Sequence, residues 1–247
     1  MNRLIFALGG AAAVVVVAFV ALGLYFNQPG IGAPPSPPPS PAPTPEASVA
    51  EPSTPADGSL PEGSHVLWVA PGGTAITVTI PAIGWYGESG GILAKNDNPD
   101  APDGAGMIVF AGDLYVYEHP CQWESSLPDA PSTTVDELVA ALASQPSRDA
   151  SEPVDITVDG YPGKSITLHV PDDAVFSECD RGEFRTLVDD PQLDGARYHQ
   201  DPGQIDQLWI VDVNGVPILI DAAYYAGTPA EHVDEMRAII DSITFDE

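Results

Sequence analysis

Hydrophobic positions recur with two different periods along this chain, and each period predicts its own kind of element. Ile76, Val78 and Ile80 alternate with Thr77 and Thr79, the pattern of a half-buried strand. Met107–Phe110 is a continuous apolar run that Leu114–Tyr117 continues, which reads as a long strand or bulged hairpin buried on both faces. Val154, Ile156 and Val158 alternate again, Asp159-Gly160 makes a turn, and Ile166, Leu168 and Val170 form the next strand. The period then changes. Thr134 with Glu137 forms a capping box, and Val135, Leu138, Val139 and Leu142 follow at helical spacing, with Pro146 closing the segment. Thr228-Pro229-Ala230-Glu231 has the same form, with proline at the first helical position, and Val233, Met236, Ile240 and Ile243 make its apolar stripe.

The sharpest local signal is Asn214-Gly215 between two apolar runs. Both residues accept the positive φ of a type I′ turn, so the pair fixes a two-residue hairpin and its register. One face then carries Trp209, Val211, Val213, Val216, Ile218 and Ile220. The other carries Leu208, Ile210, Asp212, Pro217, Leu219 and Asp221. A hairpin this apolar on both faces belongs between two layers. Helices are too few to separate most successive strands, as a parallel sheet would need. The predicted class is therefore α+β, a mostly antiparallel sheet flanked by helices.

Ahead of these elements the pattern disappears. Residues 4–26 carry no charge and no proline; as a helix they reach about 34 Å, enough to cross a bilayer core. Arg3 precedes them and the next basic residue is Lys95, which places residues 1–3 in the cytoplasm and the remainder outside. A cleaved signal peptide is the alternative, and both readings export the rest of the chain. Residues 27–64 form a Pro/Ser/Ala-rich linker; Pro34–Pro45 favours polyproline II and spaces the domain from the membrane. Residues 65–247 form the extracytoplasmic domain.

Charge narrows the function. With 36 Asp+Glu against 8 Lys+Arg the net charge is −28, so the surface repels phosphate backbones and anionic headgroups. Nucleic acid is excluded, and contact with the membrane is left to the N-terminal helix. Cys121 and Cys179 are the two cysteines, and outside the cytoplasm a lone pair predicts one disulfide. A nucleophilic Cys121 beside His119 is the competing reading.

Candidate chemistry is thin. Gly87-Glu88-Ser89-Gly90-Gly91 matches G-x-S-x-G, but Asn96-Asp97-Asn98-Pro99 stops the helix that a nucleophile elbow needs. A secreted hydrolase using Ser89 with His199 or His232 is kept as an alternative, as is a purely structural surface protein whose stalk and charge matter more than any pocket. Asp97, Asn98, Asp100 and Asp103 make an acidic loop without the ligand spacing of an EF-hand. The five histidines, at 65, 119, 169, 199 and 232, never stand three or four apart. No catalytic set, metal or cofactor is expected. The scarce cations do cluster: Arg181, Arg185 and Arg197, with Tyr198 and His199, are the candidate binding residues for an anionic group, set against simple pairing with nearby aspartates.

Several phrases carry a resemblance. Pro120-Cys121-Gln122-Trp123, Val158-Asp159-Gly160-Tyr161, Ser177-Glu178-Cys179-Asp180, Arg197-Tyr198-His199-Gln200 and Leu208–Gly215 together resemble a group of actinobacterial membrane-anchored extracytoplasmic proteins. Their domain is similar to the PsbP-like fold of mycobacterial lipoproteins of the LpqN type, over roughly residues 65–247. This chain departs from that type in lacking a lipid-modified cysteine. The resemblance implies an antiparallel sheet between helices and a binding or assembly module of the cell envelope, engaging an envelope protein or small ligand without catalysis.

Overall fold

The structure, a computed structural model, describes residues 58–70, 73–88, 91–97, 103–192 and 196–246. The apolar segment 4–26 and most of the proline-rich linker lie outside these residues, as do Ser89, Asn98 and Asp100. No helix among the described residues is long and apolar enough to cross a membrane.

The chain runs through β1 (Gly58–Ser59), β2 (Gly63–Val69), β3 (Ala75–Ile80), β4 (Tyr86–Glu88), β5 (Ile92–Lys95), β6 (Ala105–Ala111), β7 (Tyr115–Val116) and α1 (Val135–Ala143). It continues through β8 (Val154–Val158), β9 (Tyr161–His169), β10 (Phe184–Val188), β11 (Ala196–His199), β12 (Ile205–Val213), β13 (Val216–Tyr224), α2 (Ala230–Asp241) and β14 (Thr244–Asp246). Among the described residues the main sheet has eight strands in the order β1-β4-β5-β6-β13-β12-β9-β8. Two three-stranded sheets, β11-β10-β7 and β14-β3-β2, accompany it. Every pairing among the described residues is antiparallel. Ordered structure begins ahead of His65: β1 and the start of β2 use residues expected in the linker, and Leu60 is buried in the core.

The β12–β13 hairpin is the centre of the molecule. Asn214 and Gly215 take φ of 55° and 86°, and Val213 pairs with Val216, so the register is the one the turn dictates. Val211, Val213, Ile218 and Ile220 face one core, shared with Ile76, Val78 and Ile80 and closed by Val233, Met236, Ile239, Ile240 and Ile243 on and just beyond α2. Leu208, Ile210 and Leu219 face a second core with Ile166, Leu168 and Phe110, closed by Leu138, Val139 and Leu142 of α1 and by Leu187 of β10. The hairpin lies between two layers because neither of its faces can be left in water.

Two local expectations are corrected. Met107–Phe110 and Leu114–Tyr117 do not continue one strand: β6 stays in the main sheet while β7 leaves it to pair with β10. The apolar run hides this change of layer, because both stretches are buried. Thr228 does not cap α2, whose preceding residue is Pro229 and receives no side-chain bond. The Thr228 hydroxyl instead accepts from Tyr225 N (2.9 Å) and donates to Gly104 O (2.9 Å), pinning the turn onto the chain ahead of β6. At α1 the cap holds: Thr134 Oγ1 accepts from Glu137 N at 3.2 Å, while the Glu137 carboxylate reaches back to Thr133.

Candidate functional site

Cores built from alternating strands normally exclude charge, and this one admits it at one end. Asp206 stands two residues before Leu208 on β12, and Asp221 two residues after Leu219 on β13, so the strand period aims both inward. Asp206 is 1% exposed and Asp221 3%. A buried carboxylate needs a cation, and two arginines supply it. Arg148, from the segment after α1, donates Nη2 to Asp206 Oδ2 and Nη1 to Thr186 Oγ1 at 2.7 Å. Arg197, on β11, donates Nε to Asp221 Oδ2 at 2.6 Å and Nη2 to Asp206 Oδ1 at 3.2 Å. Gln204 donates to Asp206 Oδ1 at 2.6 Å and accepts from the Tyr225 hydroxyl at 3.0 Å.

His199 lies inside this network. Its Nε2 is 3.1 Å from Arg148 Nη1 and 2.6 Å from Thr186 Oγ1. A guanidinium only donates, so Nε2 accepts and the ring is neutral; Nδ1 faces both the Gln204 amide nitrogen at 3.0 Å and Asp206 Oδ2 at 3.4 Å. Burial pushes the imidazole well below its ordinary pKa, and the two guanidiniums push it further, overriding Asp206. Burial also pushes the Asp206 carboxyl up, but Arg148, Arg197 and the Gln204 amide outweigh it and hold Asp206 below the usual carboxylate range. Asp221 goes the other way: burial, aided by neighbouring Asp206, raises it to about 6 against the pull of Arg197. Burial lowers Arg197, yet Asp221 and Asp206 together keep it above its ordinary value.

The network ties β10 and β11 to the main sheet and so shapes a groove. β11 is tied over β12 and β13 of the second face by Arg197, and β5 and the first half of β6 lie to its side. Between them lies a pocket of about 530 Å³ whose lining includes Ile92, Ala94, Gly106, Ile108 and Ala223 of the sheet. Arg197, Tyr198, Gln200 and Asp201 border it from β11 and the loop beyond, with Gln204, Asp221 and Tyr225 also in the lining. Tyr198 is 54% exposed. A second pocket, of about 320 Å³, is an open depression between α1 and the β8–β9 hairpin.

The five candidate binding residues therefore separate. Arg197 and Tyr198 border the groove. His199, two positions from Arg197 on the same strand, is buried behind it in the network. Arg181 and Arg185 belong to another place: their guanidiniums lie 5.2 and 3.8 Å from the Trp123 ring, and they pair with Glu124 and Glu183, both at 2.7 Å. All three arginines are thus held by carboxylates. Cys121 and Cys179 form a disulfide beside this patch, with Cα atoms 4.5 Å apart. A nucleophilic Cys121 is ruled out by that bond, and the chain there is a turn, with Gln122 N donating to His119 O at 2.9 Å, rather than a strand. The Ser89 alternative falls outside the described residues. Among the described residues no three His, Cys, Asp or Glu side chains gather as a metal site.

Sequence reasoning does not single out Arg148, Asp206 or Asp221. A signal exists for the aspartates: both occupy core-facing positions of apolar strands, which demands a buried cation in a chain with few. Arg148 has none, because it sits in an irregular segment.

No family model matches the chain, and no curated protein sequence does. Among solved structures it is similar to LpqN of Mycobacterium tuberculosis, described as involved in cell envelope biogenesis. That pair shares 11% identity over 78% of this chain and 91% of that one, with a TM-score of 0.40. It is similar also to cyanobacterial PsbP from Synechocystis, at 12% identity over 69% of this chain and 86% of that one, with a TM-score of 0.29. A Bacteroides thetaiotaomicron protein matches at 10% identity over 75% of this chain and 49% of that one, with a TM-score of 0.32. Likeness of this size carries no functional information.

Proposed function

We propose that the domain is a non-catalytic binding module held outside the cytoplasm by residues 4–26, and that it takes a small molecule in the groove between β11 and the β5–β6 edge of the main sheet. The observation that carries this is the groove itself: about 530 Å³, floored by small and aliphatic residues and walled by Tyr198, Arg197 and Tyr225. That is the size of a small-molecule site, and its lining is shared about evenly between the sheet's small and aliphatic residues and the polar groups that converge on it. Its polar wall is held rigid by the buried Arg148–Asp206–Arg197 network, which lowers the entropy cost of binding. The placement outside the cytoplasm draws on the apolar segment 4–26 and on the disulfide.

The test is a small-molecule thermal-shift screen of the full chain beside an Ala94→Phe variant. Ala94 is exposed on the groove floor, so the phenyl ring fills the groove without entering a core. Compounds that raise the Tm of the parent and not of the variant are the expected result. A screen in which every hit acts equally on both proteins rejects the groove as the binding site.

A further inference from the structure

Resting on that reading of the groove, we propose that its ligand is an amine: a protonated nitrogen carried on a flat apolar body, with the ammonium seated against Asp221.

Charge excludes the opposite sign. The groove borders on two cations, Lys95 and Arg197, and both are already spent. Lys95 turns its Nζ toward α2, 2.7 Å from Glu235. Arg197 is divided between Asp221 and Asp206. Glu88 and Asp201, also in the lining, face no cation within ion-pair distance among the described residues. The surplus at the groove is negative, on a chain whose net charge is −28, so an anionic ligand is repelled and a cationic one drawn in.

One atom asks for a donor. Asp221 borders the groove, is 3% exposed, and uses Oδ2 for Arg197, while its Oδ1 accepts no hydrogen bond. A buried carboxylate oxygen without a donor is costly, and an ammonium entering from the groove, with a small shift of the wall that covers Oδ1, would satisfy it with a charge-assisted bond. The rest of the site fits the remainder of such a molecule. Ala94, Gly106 and Ala223 keep the sheet surface low, so a planar group can lie on it. At Gly106 a Cβ would stand 3.2 Å from Leu93 O, so even a methyl is crowded there. Tyr198 and Tyr225 line the groove with aromatic side chains, the residue type that packs against a cation or an aromatic body.

Asp221 must be ionised for this contact, and its pKa near 6 makes the contact sensitive to acid. The groups that act on it are Arg197 from β11, Asp206 from β12 and Arg148 from the segment after α1, while β6, its other neighbour, carries no titratable side chain.

Titration calorimetry of the full chain with 2-phenylethylamine, 2-phenylethanol and phenylacetate tests the proposal. At pH 7.5 the amine is expected to bind about tenfold more tightly than the alcohol, the margin of a charge-assisted over a neutral hydrogen bond, with the acid weakest. Moving to pH 5 should reduce amine affinity by about fivefold or more and leave the alcohol unchanged. Asp221→Asn should abolish the preference for amine over alcohol. Because that change touches the buried network, Tyr198→Ala serves as a second variant: its side chain is exposed, so the Tm should hold while amine affinity falls about threefold or more. Equal binding of amine and alcohol overturns the charge selection while leaving the groove reading standing. Binding by none of the three overturns the amine proposal, and the screen with Ala94→Phe then judges the groove separately.

Discussion

At the scale of single residues, the buried ionic network decides how the protein responds to substitution and to acid. Arg148→Met leaves Asp206 ionised in the core with a single guanidinium, and should cost about 3–5 kcal/mol by urea unfolding. Arg148→Met with Asp206→Leu removes both charges and should recover most of that loss. A double variant as unstable as the single one would show that packing rather than charge is at stake. The pH response follows from opposed shifts. His199 is depressed, so below about 6.5 the unfolded chain takes up a proton that the folded chain refuses, and stability falls with pH. Asp221 is raised to about 6, so between about 6 and 4 the folded chain binds a proton that the unfolded chain lacks. Its contribution grows as pH falls and is lost as pH rises through 6. Asp206, being depressed, contributes above about 4 and loses that contribution below it. Asp221→Asn removes the opposing effect. Its unfolding free energy should therefore drop more steeply than the parent's from pH 6 to pH 4, by up to about 1.4 kcal/mol per pH unit. Parallel curves would contradict the assignment.

At the scale of elements, close strand packing makes one glycine indispensable. Gly163 lies on β9 opposite Val211 of β12. A Cβ there would run into the carbonyl oxygen of Ile210 and stand 2.7 Å from Val211 Cγ1 and 2.9 Å from Val211 Cα. Backbone cannot yield as a side-chain tip does, so Gly163→Ala should cost about 1–3 kcal/mol. Amide exchange should then speed up first along β8 and β9. A neutral substitution would mean that β9 can move away from β12 freely. Elements of this kind were legible wherever one period and one turn agreed. The Asn214-Gly215 and Asp159-Gly160 hairpins and the α1 cap stand where their residues place them, because each is specified by neighbours in the chain. β7, β10 and β11 were not legible as a separate layer. Their partners are distant in sequence, and an apolar run reads the same whichever sheet it joins.

At the scale of the whole molecule, the disulfide spans 58 positions and fastens the turn after β7 to the segment leading into β10. Closing a loop of that length should stabilise the fold by about 2–4 kcal/mol. Replacing both Cys121 and Cys179 by Ser should lower the urea midpoint accordingly. If the domain works outside the cytoplasm, neither thiol should react with a permeant alkylating agent in living cells until a reductant is added. Free alkylation of both in untreated cells would remove the crosslink and the location together.

What the sequence determined by itself is whatever depends on local geometry and on totals. Strand and helix periods, turn chemistry, the central hairpin with two buried faces, the sign of the surface and the pairing of two lone cysteines all follow from residues read in order. What only the tertiary structure decided is how charges are spent. Read along the chain, Arg181, Arg185 and Arg197 look like one basic island. Folded, they face different carboxylates, and Arg197 meets Asp206 and Asp221 only because three strands converge there. Electrostatic interactions act through space and depend steeply on burial, so the character of the groove was beyond any one-dimensional reading.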